Sequence, residues 1–98
     1  MKLALAPLAS ADLDDIWRYV FTESGNEETA SRLVNKLRQT ILRLRKYPRI
    51  GRIRSEDLSK EMRSLPKENY VIYYRIDKEA VRIIRILHGS RDARRLLM

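Results

Sequence analysis

Residues 70–92 read YVIYYRIDKEAVRIIRILHGSRD, and this stretch decides the fold. Tyr70 to Ile76 is dense in aromatic and β-branched side chains, which suit a pleated, half-buried surface, and is the clearest strand in the chain. Asp77-Lys78-Glu79-Ala80 is a polar connection of hairpin length, and Val81 to Leu87 is the returning strand. With Ile76 opposite Val81, the two-residue period sorts the side chains by face. One face carries Tyr70, Ile72, Tyr74 and Ile76 beside Val81, Ile83, Arg85 and Leu87. The other carries Val71, Tyr73 and Arg75 beside Arg82, Ile84 and Ile86. Both faces are apolar near the middle, unlike an antiparallel sheet with one face in water. The second face therefore needs cover, either from the C-terminal segment or, as the preferred expectation, from a partner chain. Gly89 breaks the second strand, and Arg91 to Leu97 is expected to form a short last helix.

Working outward, Lys2 to Ala6 is a short apolar strand stopped by Pro7, as expected at a sheet edge. Ser10 is placed to cap a helix whose first turns carry Asp12, Asp14 and Asp15, where carboxylates complement the helix dipole. Leu13, Ile16, Trp17 and Val20 recur at helical spacing and form one buried stripe. Gly25 ends this helix and Asn26 caps the next, which keeps its apolar stripe through Ala30, Leu33, Val34, Leu37, Ile41 and Leu44 until Tyr47-Pro48. The two helices, joined by Gly25-Asn26, form a hairpin. Pro48 to Leu58 reads as a loop. Glu61 to Leu65 is a second strand, ended by Pro66. The order β-α-α-β-β-β-α defines a single α+β domain over residues 1–98, its helical hairpin packed on a small, mainly antiparallel sheet.

The chain of 98 residues has 44% hydrophobic residues, three Gly and three Pro, as a folded domain does. It has no cysteine, which fits a reducing cytoplasm, and no apolar run of membrane-spanning length. LALAPLASA after Met1-Lys2 has the outline of a signal peptide, but its apolar run is short and interrupted by Pro7. The net charge of +8 is unevenly spread. Residues 1–30 hold two basic and six acidic side chains, residues 31–54 nine basic and none acidic, and residues 55–98 ten basic and seven acidic. A basic block in the second helix and the following loop points to an anionic partner: nucleic acid, a nucleic-acid-bound protein or an acidic peptide.

The sequence has no metal-ligand spacing, no glycine-rich phosphate loop and no nucleophile elbow, so no cofactor is expected. The enzymatic option that is left is metal-free RNA cleavage. It needs an acid and a base, and cations for the developing phosphorane charge. His88 could act as acid or base, with Arg63, Arg85 and Arg91 as cations. Equally, His88 can simply hydrogen-bond at a strand end.

ADLDDIWRY in the first helix, YPRIGR after the second, and NYVIYYRI followed by VRIIRILHGSRD resemble the RelE/ParE toxins, specifically their ParE-like branch. The resemblance runs from about Ala11 to Asp92. It implies the RelE/ParE fold, a type II toxin–antitoxin pair, and a hetero-oligomer with an antitoxin whose flexible segment wraps the toxin. ParE-like members poison DNA gyrase by binding, whereas RelE-like members cut mRNA on the ribosome. The nuclease pattern places lysines where Met62 and Ser64 stand, an Arg at Val71 and a Tyr near Leu97; of its basic set Arg91 matches. His88 matches the histidine of another nuclease branch that also needs the Arg replaced by Val71.

The resemblance thus favours a gyrase inhibitor that acts by binding; on their charge and expected exposure near the C-terminus, Arg91, Arg94 and Arg95 are expected at the target. Trp17, Ile72 and Tyr74 are expected either to receive the antitoxin or to build the core. The alternatives are a ribosome-dependent mRNA interferase with His88, Arg91 and Arg63 at its centre, or a degenerate member that binds its antitoxin and does little else.

Overall fold

A computed structural model describes residues 1–59 and 61–97. Chain order is β1 (Lys2–Leu5), α1 (Pro7–Ser24), α2 (Glu27–Arg43), β2 (Arg52–Ile53), β3 (Arg63–Lys67), β4 (Tyr70–Asp77), β5 (Ala80–His88) and α3 (Ala93–Leu97). The strands form one mixed sheet in the order β1-β5-β4-β3-β2. Strand β1 runs parallel to β5 at one edge, and the other pairings are antiparallel.

Local chemistry sets the helix boundaries. Ala6 is extended, as a residue before proline must be, and Pro7 opens α1 at the position where a missing N–H costs nothing. The cap expected at Ser10 is therefore displaced to Ala6. Asp12, Asp14 and Asp15 consequently lie beyond the first turn, away from the dipole's positive end. Gly25 closes α1 in the left-handed conformation at φ 66°, donating its N–H to the Phe21 carbonyl. Asn26 then accepts from the Thr29 N–H at 3.2 Å, with Glu27 and Glu28 in the first turn of α2. Asn26→Ala should destabilise the fold by about 1 kcal/mol, read as a lower urea midpoint at unchanged slope.

Helices of this length are marginal in isolation, while burying one Leu or Ile side chain contributes about 1.5–3 kcal/mol. Packing therefore holds the hairpin in place. Leu13 and Ile16 of α1 and Val34, Leu37 and Ile41 of α2 lie with Leu44 against Ile72, Tyr74, Val81, Ile83 and Ile86. Helix α2 ends at Arg43, four residues before Tyr47, because the chain tightens into three-residue turns through Leu44–Lys46.

Two features of the sheet depart from the sequence reading. Strand β3 starts at Arg63 and continues through Pro66 to Lys67 instead of stopping before the proline. The reason is that β2 pairs with only Arg63 and Ser64, leaving the outer edge of β3 open at Pro66. Strand β2 itself arises inside the stretch read as loop.

The second departure is a bulge in β5. Ile76 faces Val81 as expected, and Tyr74 faces Ile83, but Tyr73 faces Arg85, so Ile84 is the extra residue. Beyond it every side chain changes face relative to strict alternation. Ile86 therefore joins the helix-side core, and Leu87 joins a second cluster with Tyr73, Leu58, Met62 and Ala93. Val71, Ile84 and Leu97 pack against that cluster. The second face is thus covered by the chain's own Leu58 and Met62 and by α3, not by a partner as preferred from sequence.

Candidate interaction site

The bulge is held by a carboxylate. Asp12 projects from the buried side of α1, one turn before Ile16, and is 8% exposed. Its Oδ2 accepts from the Ile86 N–H at 2.9 Å and from Arg85 Nε at 2.8 Å, while Oδ1 accepts from Arg85 Nη2 at 2.9 Å. One carboxylate thereby satisfies the backbone N–H that the bulge frees and neutralises the guanidinium beside it. Hydrogen bonding to Asp12 pushes the Arg85 pKa up, against the opposing effect of burial. Arg85 is therefore a fixed structural cation, already neutralised, and not a free one for phosphate. Sequence carried a signal for this pair: an Arg interrupting the apolar run RIIRIL, and an Asp on the buried stripe of α1.

Past the bulge, His88-Gly89-Ser90-Arg91-Asp92 forms a compact turn. Gly89 N–H donates to the Asn69 carbonyl and Arg91 N–H to the His88 carbonyl. His88 Nδ1 accepts the Ser90 N–H at 3.1 Å and lies 2.8 Å from the Ser90 hydroxyl. In the neutral ring the proton accordingly sits on Nε2. The exposed imidazole stands edge-on to Tyr70, with ring centres 5.4 Å apart. Asp92 Oδ1 accepts from the Arg94 N–H at 3.1 Å and so starts α3, which extends from Ala93 to Leu97, two residues later than expected.

An open groove of about 540 Å³ lies between α1 and this turn, bordered by Tyr19, Tyr70, His88 and Arg91, with the Asp12–Arg85 pair on its wall. Burial pushes the Tyr70 phenol up, so it is a hydrogen-bond donor rather than an anion. His88 and Arg91 are thus brought together. Arg94 and Arg95 follow, exposed on α3. Arg63 is not part of this group. It faces Tyr74, while His88 faces Tyr70, four residues or roughly 13 Å along β4. The Arg63 guanidinium instead donates to the Arg49 and Gly51 carbonyls at 3.2 and 2.9 Å.

The residues proposed from sequence for antitoxin contact separate in the same way. Ile72 and Tyr74 are fully buried between sheet and helices, so a partner could touch neither without opening the core; they are corrected to core residues. The Tyr74 hydroxyl donates to the Pro48 carbonyl at 2.7 Å and accepts the Gly51 N–H at 2.8 Å. That pair explains the run YPRIGR: it is a loop pinned to the core by one phenol. Trp17 is half-buried, donates to Ser31 Oγ at 3.1 Å across the hairpin, and stacks on Phe21 with centroids 5.2 Å apart. Met62 and Val71, which stand at the nuclease positions, belong to the second apolar cluster, as does Leu97. Ser64 accepts a hydrogen bond from Arg54, which also pairs with Asp57.

Fold and site together define a small basic α+β protein with an open groove of mixed charge beside exposed arginines on α3. Residues 3–93 match the family described as ParE toxin of type II toxin-antitoxin system, parDE, and the chain belongs to that family. Toxin ParE1 of Caulobacter vibrioides is 37% identical over 90 residues, covering 92% of this chain and 91% of that protein. Toxin ParE3 of the same organism is 38% identical over 80 residues, covering 82% and 78%. A solved structure titled as a chromosomal ParDE TA system from P. aeruginosa superimposes with a TM-score of 0.77 at 23% identity, covering 90% of this chain and 95% of that one. The expected family and the α+β fold are both borne out. Among the described residues, no helix is long and apolar enough to cross a membrane.

Proposed function

We propose that this ParE-family toxin arrests DNA gyrase by binding, and that a cognate antitoxin neutralises it in a hetero-oligomer in the cytoplasm. The observation that carries the binding reading is the incompleteness of the candidate nuclease set around His88. Arg63, opposite the middle of β4, is committed to loop carbonyls, and Arg85 is neutralised by Asp12. Met62, Val71 and Leu97 put apolar side chains at three of the nuclease positions. Transition-state charge would then have Arg91 alone beside His88, whereas phosphoryl chemistry without metal needs several converging donors. Arg91, Arg94 and Arg95 form the contact with gyrase or its DNA. They are exposed, close in sequence and at one end of the sheet.

The groove that unites His88 with Arg91 favours the second reading, a ribosome-dependent mRNA interferase. Purified toxin separates the two. Cleaved DNA should accumulate in a gyrase supercoiling reaction while message stays intact in a translation extract; cut message with unaffected gyrase would sink the first reading. His88→Ala should retain growth inhibition, because an exposed imidazole held by Ser90 is a turn residue in the binding reading. Replacing Arg91, Arg94 and Arg95 together by Ala should weaken gyrase inhibition by about tenfold or more, as expected for loss of clustered interface charges.

A further inference from the structure

The ribbon Leu42–Ile53 runs from the last turn of α2 through the edge strand β2; Leu44 anchors it in the core, and its remaining large side chains belong to neither the core nor the groove described above. It carries five basic residues and no acidic one: Arg43, Arg45, Lys46, Arg49 and Arg52. Among the described residues none of the five forms an ion pair. Interleaved with them are four large apolar side chains held in water: Leu42, Tyr47, Ile50 and Ile53, at 50, 48, 48 and 57% exposed. The ribbon is not a mobile tail. Tyr74 and Arg63 fasten it through Pro48, Arg49 and Gly51, so its side chains project from a fixed backbone. Beyond it, β2 pairs only with β3 and leaves its outer edge open.

We infer that Leu42–Ile53 is a docking surface for an acidic peptide segment that also carries apolar side chains. Charge complementarity selects the acidic character: five unpaired cations on a rigid ribbon repel one another until an anionic partner arrives. The apolar residues choose between peptide and nucleic acid. Duplex phosphates would satisfy the arginines but leave Leu42, Ile50 and Ile53 in water, whereas a peptide buries them at about 25 cal/mol per Å². Arg52 and Ile53 point to opposite faces of β2, so the partner must present acid and apolar groups on different sides. This inference rests on the antitoxin half of the reading above, since an antitoxin segment is the partner it would receive.

The test is fluorescence anisotropy with the full chain and a labelled extended peptide in which glutamates alternate with valines. Binding is expected, weakened about tenfold by Ile50→Thr with Ile53→Thr, and to a similar degree by Arg49→Ser with Arg52→Ser. Arg32→Ser with Arg38→Ser removes the same charge from exposed positions outside the ribbon and should change affinity by less than about twofold. Threonine keeps the β-branched shape at Ile53, and circular dichroism reads folding of each variant. Affinity unchanged by both ribbon pairs would overturn the proposal. So would displacement of the peptide by duplex DNA whose own binding ignores the isoleucine pair, which would make the ribbon a nucleic-acid surface. The assay reads neither growth nor gyrase, so failure here leaves the toxin reading intact. Failure of an antitoxin to rescue growth, with peptide binding retained, would count against the toxin–antitoxin reading instead.

Discussion

Asp12→Ala is expected to lower the unfolding free energy by about 3 kcal/mol, because it removes one partner from a largely buried ion pair. It also removes the carboxylate that accepts from the Ile86 N–H beside the bulge. Folded domains hold only about 5–15 kcal/mol in total, so the variant should unfold at a markedly lower urea concentration. The mechanism is specific enough to be checked by a cycle. With Arg85→Leu in place there is no guanidinium left uncompensated, so the same aspartate substitution should cost clearly less. A cycle in which the two costs simply add would mean that the pair does not work as one unit. Asp12→Asn is the finer probe. It keeps an oxygen for the Ile86 N–H but loses the charge, and should fall between wild type and alanine.

The second large effect concerns the loop. A Cβ at Gly51 would stand 2.4 Å from the Tyr74 hydroxyl oxygen and 2.6 Å from ring carbon Cε1. The ring is fully buried between sheet and helices and has no room to retreat, so Gly51→Ala must move the loop itself. The expected cost is about 2–3 kcal/mol, within the range for overpacking. Tyr74→Phe should cost about 1–3 kcal/mol by stranding the Pro48 carbonyl and the Gly51 N–H. Because both substitutions act on one junction, their combination should fall well short of additive. Thermal unfolding of the two single variants and the double variant reads this directly. Full additivity would show that Tyr74 and Gly51 are independent.

These two junctions matter for function because each positions a surface. The Asp12–Arg85 pair fixes where β5 changes face, and with it the direction in which His88 and Arg91 leave the sheet. The Tyr74–Gly51 junction sets the backbone from which the basic ribbon projects. A destabilising substitution at either place should therefore alter binding at its own surface before the whole fold is lost, since local opening costs less than global unfolding.

Element order apart from the two-residue strand β2, the β4–β5 hairpin with Ile76 opposite Val81, the Asn26 cap and the Gly25 stop were legible in the sequence. They depend on local rules: two-residue alternation, cap chemistry, and the backbone freedom of glycine. The family was legible for the same reason, since its motifs are short contiguous runs. What the tertiary structure alone decided lies where distant residues meet. Strict alternation put Leu87 on the face of Ile72 and Tyr74 and Ile86 on the other; the bulge reversed them, and the bulge is held by a carboxylate from another element, 74 residues away. Ile72 and Tyr74 could have been surface or core from their spacing, and only the helices above them decided for core. Arg63 and His88 looked like candidates for one site until strand register put them four residues apart along β4. Contiguous residues fixed which elements form and which family they build. Register, burial and long-range pairing fixed which side chains are left free to bind, because those depend on contacts that no local period encodes.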